Sequence, residues 1–128
     1  MVLQKVNQNE NWIQMSWTCA FNMDWPRILF GIRAILPTFK DAEVLAGSMG
    51  SQPKAINPMD KPEEHPMVQL RGYSNLFKGK VSILFNTGTN TLSLTIPKTL
   101  NLAPDYQSLA IAAGPFMDSI ELRMYSGK

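Results

Sequence analysis

Apolar and polar residues alternate strictly from Ile13 to Phe21. Ile13, Met15, Trp17, Cys19 and Phe21 are interleaved with Gln14, Ser16, Thr18 and Ala20. A two-residue period puts the first set on one face of a strand. The same period recurs in Val68–Tyr73, Lys80–Phe85 and Thr91–Ile96. The last two flank Asn86-Thr87-Gly88-Thr89-Asn90, a five-residue connection in which Gly88 can supply a positive φ, so a hairpin is predicted. Val81, Ile83 and Phe85 then share a face, as do Leu92, Leu94 and Ile96, and Pro97 ends the ladder. Near the C-terminal end, Ile120, Leu122 and Met124 alternate with Ser119, Glu121, Arg123 and Tyr125, which predicts a final strand.

Other segments carry a different rhythm. Trp25, Ile28, Leu29, Ile32, Ile35 and Leu36 form a helical stripe, with Asp24 placed to cap it and Pro26 in the first turn. Gly31 and the competing alternation of Ile28, Phe30, Ile32, Ala34 and Leu36 speak for a strand, and the balance favours helix by a little. Thr38-Phe39-Lys40-Asp41 resembles a capping box and Gly47 a stop signal, predicting a short helix over Phe39–Ala46. Asp105–Ala113, between Pro104 and Gly114-Pro115, suits a short helix but does not exclude a strand. From Gly47 to Pro66 the chain carries Pro53, Pro58, Pro62 and Pro66. Proline lacks an N–H, so no ladder is expected there, only a long loop or an extended arm.

The predicted architecture is therefore mainly β: a small antiparallel sheet or sandwich-like domain with one to three short helices and a long proline-rich loop at 47–66. An α+β arrangement is the alternative. All 128 residues fit one domain.

Composition adds one sharp fact. Charged residues make up 17% of the chain, against about 25% in an average soluble protein. A surface short of charge resists association poorly, which points to a partner. The net charge is only +2, and the 12 Lys and Arg are scattered from Lys5 to Lys128. A nucleic-acid surface built on counterion release needs clustered cations, so sequence supports that partner weakly. A single cysteine, Cys19, excludes an internal disulfide and a cysteine-rich metal site. Residues 1–10 carry no apolar signal core, and no run approaches the length of a membrane-spanning helix. The expected site of folding is a reducing cytoplasm, with later incorporation into a particle as an option.

Candidate chemistry is sparse. His65 is the only histidine, with Asp60, Glu63 and Glu64 nearby, but a zinc site needs three or four converging ligands. Cys19 lies between Trp17 and Phe21 on an apolar face and reads as a core residue. Arg71-Gly72-Tyr73-Ser74 opens like an RNA-recognition octamer, then fails at Asn75 and Lys78, where stacking rings belong. Arg71, Tyr73, Phe77, Lys78 and Lys80 nevertheless interleave charge and rings. Trp12, Tyr73 and Tyr125 fall off the apolar register and are expected to face outward.

No catalytic, cofactor or metal residues are expected, and the chain is not read as an enzyme. The favoured function is a structural or assembly subunit of a multimeric particle, such as a small virion component, which self-associates or binds other subunits. The 47–66 segment would be an intersubunit arm anchored by Ile56, Met59 and Met67. The alternative is a binding module for carbohydrate or single-stranded nucleic acid, with Trp12, Arg71, Tyr73, Lys78, Lys80 and Tyr125 as candidate contacts.

Overall fold

A computed structural model describes residues 2–47, 52–57, 65–77, 79–97 and 106–126. Seven strands form one antiparallel sheet: β1 (Val2–Gln8), β2 (Trp12–Thr18), β3 (Phe39–Gly47), β4 (Lys54–Ala55), β5 (Met67–Ser74), β6 (Gly79–Asn86) and β7 (Thr91–Pro97). Their spatial order is β1-β2-β7-β6-β5-β3-β4. Helices α1 (Trp25–Ile35) and α2 (Tyr106–Ser126) cover one face. The mainly β expectation holds. Among the described residues there is no second sheet, and the helices supply the cover that a sandwich would take from one.

The core follows from the alternation. Ile13, Met15 and Trp17 of β2 stand opposite Ile96, Leu94 and Leu92 of β7. Ile83 and Phe85 extend the same layer, opposite Leu94 and Leu92. All are buried beneath Ile28, Ile32, Ile120 and Met124 of the helices. Burial of each such side chain is worth roughly 1.5–3 kcal/mol.

Helix α1 forms as its stripe predicts. Asp24 Oδ1 accepts the Arg27 N–H at 3.0 Å, and Pro26 occupies the first turn. Gly31 has a packing role: a Cβ there would lie 2.7 Å from Met124 Cγ, so its absence lets α2 approach closely.

Three expectations are corrected. Phe39–Ala46 is not a helix but most of β3, paired with β5 over Phe39↔Ser74 and Val44↔Leu70. The Thr38 hydroxyl donates backward to the Ile35 carbonyl at 2.6 Å, closing the 3₁₀ turn Leu36–Thr38. Asp41, at φ 54°, sits in a bulge that shifts the register between Lys40 and Glu43. Second, the C-terminal alternation is not a strand. Ala113, Met117, Ile120 and Met124 are buried at helical spacing along α2, whereas Leu122 is 63% exposed and leaves the predicted core. Pro115 lies inside this helix, on its exposed side. Third, a ladder does enter the proline-rich stretch. Lys54 and Ala55 pair with Ala46 and Leu45, and the Ile56 N–H donates to the Val44 carbonyl at 2.9 Å. The remaining loop reading, at 48–51 and 58–64, lies outside the described residues.

The β6–β7 hairpin is present with one difference. Asn86 pairs with Thr91, and the positive φ belongs to Asn90, at 57°, not to Gly88. Asn86 Oδ1 accepts the N–H groups of Gly88 and Thr89 and so organises the turn locally.

Candidate binding surface

The face of the sheet away from the helices is open among the described residues. Strand alternation and register decide what it displays. Trp12, Gln14, Ser16 and Thr18 of β2 stand opposite Pro97, Thr95, Ser93 and Thr91 of β7. Ser82 and Leu84 continue the face on β6, Gln69, Arg71 and Tyr73 on β5, and Lys40, Glu43 and Leu45 on β3. Most are half-buried by their neighbours, and Ser93, at the centre, is 8% exposed.

The centre is uncharged and hydrogen-bonded to itself. The Ser16 and Ser93 hydroxyls lie 2.9 Å apart, and Gln14 Nε2 donates to Thr95 Oγ1 at 3.3 Å. Charge collects toward β5 and β3. Arg71 donates through an NH2 group to Glu43 Oε2 at 3.2 Å, while its Nε–H is buried without a hydrogen-bond partner. In the next row Tyr73, 41% exposed, stands between Lys40 on β3 and Lys80 on β6. Neither lysine forms an ion pair among the described residues. Pro97 faces Trp12 at the same end of the sheet, two residues beyond the last β6–β7 pair, Ser82↔Thr95. This end of the face therefore carries the row Lys40, Tyr73, Lys80 and, on the next two strands, the pair Pro97 and Trp12.

Four expected contact residues, Trp12, Arg71, Tyr73 and Lys80, are thus brought to one surface. Tyr125 is not among them. It projects from α2 on the opposite side of the sheet, 62% exposed, with its ring 5.5 Å from that of Phe21. Lys78 and Met59 lie outside the described residues. Ile56 packs against the core of its own chain, and Met67 begins β5, opposite Asn86. The helical pattern over Phe39–Ala46 hides Lys40 in the sequence; only its pairing with Tyr73 reveals its place.

The remaining candidates behave as packing residues. Burial, with a smaller contribution from the Glu121 carboxylate, pushes the Cys19 thiol up to about 11. His65 lines a cleft of about 420 Å³ at the N-terminal end of α1, its ring 6.0 Å from that of Trp25. Among the described residues no three His, Cys, Asp or Glu side chains converge as metal ligands, and no helix is long and apolar enough to cross a membrane.

No protein-family model matches the chain, and neither characterised proteins nor solved structures give a significant match.

Proposed function

We propose that the protein is a non-enzymatic subunit of a multimeric assembly and that it associates through the free edge of β1. The observation that carries this reading is the length and composition of that edge. Among the described residues β1 pairs with a strand on one side only, β2; it runs for seven residues and bears one charge, Lys5. An edge of this kind is a template for another strand. The opposite margin ends in β4, two residues long. Leu3 and Val6, on the helix-bearing side of β1, are 41% and 38% exposed. A second copy paired antiparallel to β1 would cover both and extend the sheet. The bulge near Gln4 interrupts this edge but leaves Lys5–Gln8 continuous. The cis contacts of Ile56 compete with its use as an intersubunit anchor, so the edge is the better supported contact.

Mass measured by light scattering or sedimentation over a wide concentration range tests the reading. The native chain should associate, and Leu3→Lys with Val6→Lys should leave it folded and monomeric. A native chain that stays monomeric throughout refutes it. A second reading, a ligand-binding module, is supported by the gathering of Trp12, Arg71, Tyr73 and Lys80. It uses the face of the sheet and not its edge, so the two roles do not compete for surface.

A further inference from the structure

We infer that the open face binds single-stranded nucleic acid across the strands, with Tyr73 and Trp12 as stacking platforms and Lys40 and Lys80 as phosphate contacts. This rests on the ligand-binding reading of that face and is independent of assembly through β1.

The arrangement of the row is the first argument. Tyr73 is exposed and has a lysine directly opposite it on each neighbouring strand. Neighbouring strands lie about 4.8 Å apart, so both lysine stems rise from the sheet directly beside Tyr73. A base stacked on the ring would carry its phosphates past those ammonium groups. Proteins that hold single strands without reading sequence combine these two elements, a ring for the base and a cation for the backbone. Trp12 lies three strands from Tyr73 at the same end of the face, which gives a second ring.

Charge is the second argument. On this face Lys5, Lys40, Arg71 and Lys80 stand against Glu43. Counting Asp41 in the adjacent bulge, the excess is still positive. Lys40, Arg71 and Lys80 lie on three adjacent strands of this face, so its positive charge gathers at one end. A neutral sugar would use the rings but gain nothing from two unpaired ammonium groups. An acidic peptide would use the ammonium groups but leave the rings idle.

Neutral polar side chains surround the row. Gln14, Ser82, Thr95 and Gln69 offer amide and hydroxyl groups that both donate and accept. Such groups can meet any base edge or a ribose hydroxyl. They do not fix one base, so the expected binding is tolerant of sequence. Double-stranded nucleic acid hides its base faces inside the stack and cannot use the rings.

Fluorescence anisotropy of labelled dodecamers of uridylate and of thymidylate, at about 50 and 200 mM salt, tests the inference. A duplex of equal length, maltohexaose and heparin serve as comparison ligands. Both single strands should bind more tightly than the duplex, and a preference between them would report a ribose contact. Tyr73→Ala should weaken binding about tenfold or more while leaving the thermal melt unchanged. Lys40→Ala and Lys80→Ala should each flatten the slope of log affinity against log salt by about 0.7. Single-strand affinity no better than that of the duplex, or unaffected by Tyr73→Ala, overturns the inference. Heparin binding that survives Tyr73→Ala together with equal nucleic-acid binding reduces the face to a general polyanion surface and also overturns it. Maltohexaose binding without oligonucleotide binding overturns the nucleic-acid assignment but leaves the ligand-binding reading standing. Absence of binding by any of these ligands removes both.

Discussion

Asn90 ties the β6–β7 turn to the passage between β2 and α1, and its replacement by alanine should be among the costliest single changes on the surface. Its Nδ2 donates to the carbonyls of Phe21 at 2.8 Å and Cys19 at 3.3 Å, and its Oδ1 accepts the Met23 N–H at 2.8 Å. Each such bond contributes about 1 kcal/mol net. The residue also holds φ 57°, a conformation that costs a side chain other than asparagine, aspartate or glycine about 1–2 kcal/mol. Asn90→Ala loses both contributions, roughly 4–5 kcal/mol. Against a total stability of about 5–15 kcal/mol, that is a large share. Asn90→Gly relieves the backbone but not the lost bonds, so it should be milder than alanine by about 1 kcal/mol. Urea unfolding followed by tryptophan fluorescence measures both. An alanine variant within 1 kcal/mol of the native protein, or a glycine variant less stable than alanine, refutes the reasoning.

Two glycines make a matched pair of predictions. A Cβ on Gly72 would meet backbone atoms of the β3 bulge, Ala42 Cα at 2.9 Å and the Lys40 carbonyl at 3.2 Å, so Gly72→Ala should destabilise by about 1–3 kcal/mol in chemical denaturation. A Cβ on Gly114 meets nothing within 4 Å and the residue is helical, so Gly114→Ala should stabilise by up to about 1 kcal/mol. Cys19 should resist thiol reagents at pH 8 in the folded protein and react once unfolded. Because burial raises its pKa to about 11 from an ordinary 9.0, the unfolded chain releases that proton first as pH rises. Stability should therefore fall between about pH 9 and pH 11, and Cys19→Ala should remove that part of the decline, as pH-dependent melts would show.

The strands with clean alternation were legible because burial on a single face imposes the period directly. Ile13–Cys19, the two arms of the hairpin and Val68–Tyr73 all follow from it, and so does most of the core. Phe39–Ala46 was not legible in the same way. Its bulge at Asp41 breaks the period, and the local capping pattern at Thr38 then outweighed a strand whose partner lies at Phe39↔Ser74, far along the chain. The C-terminal stretch misled for the opposite reason. Ile120, Leu122 and Met124 satisfy a two-residue period, while the buried set Ala113, Met117, Ile120 and Met124 satisfies a helical one. Gly114-Pro115 looked like an end because proline normally removes a helical hydrogen bond. The binding row was half legible: outward aromatics could be picked from the register, but their gathering depends on which strands become neighbours.

The placement of β2 beside β7 also bears on how the chain is made. Strands β5, β6 and β7 are consecutive neighbours, so they can pair as soon as they are synthesised. β2 can pair early only with β1. Its other partner, β7, paired from Trp12↔Pro97 to Thr18↔Thr91, is among the last strands to leave the ribosome. At about 5–20 residues per second, Met15 and Trp17 wait several seconds without the strand that buries them. During that interval the β1–β2 hairpin is an apolar ribbon with two open edges, a natural client for chaperones. The same separation makes the hairpin a detachable unit. A copy whose β7 is already in place can accept the hairpin of a neighbour through the same contacts as its own, which gives crowded synthesis a route to exchanged dimers.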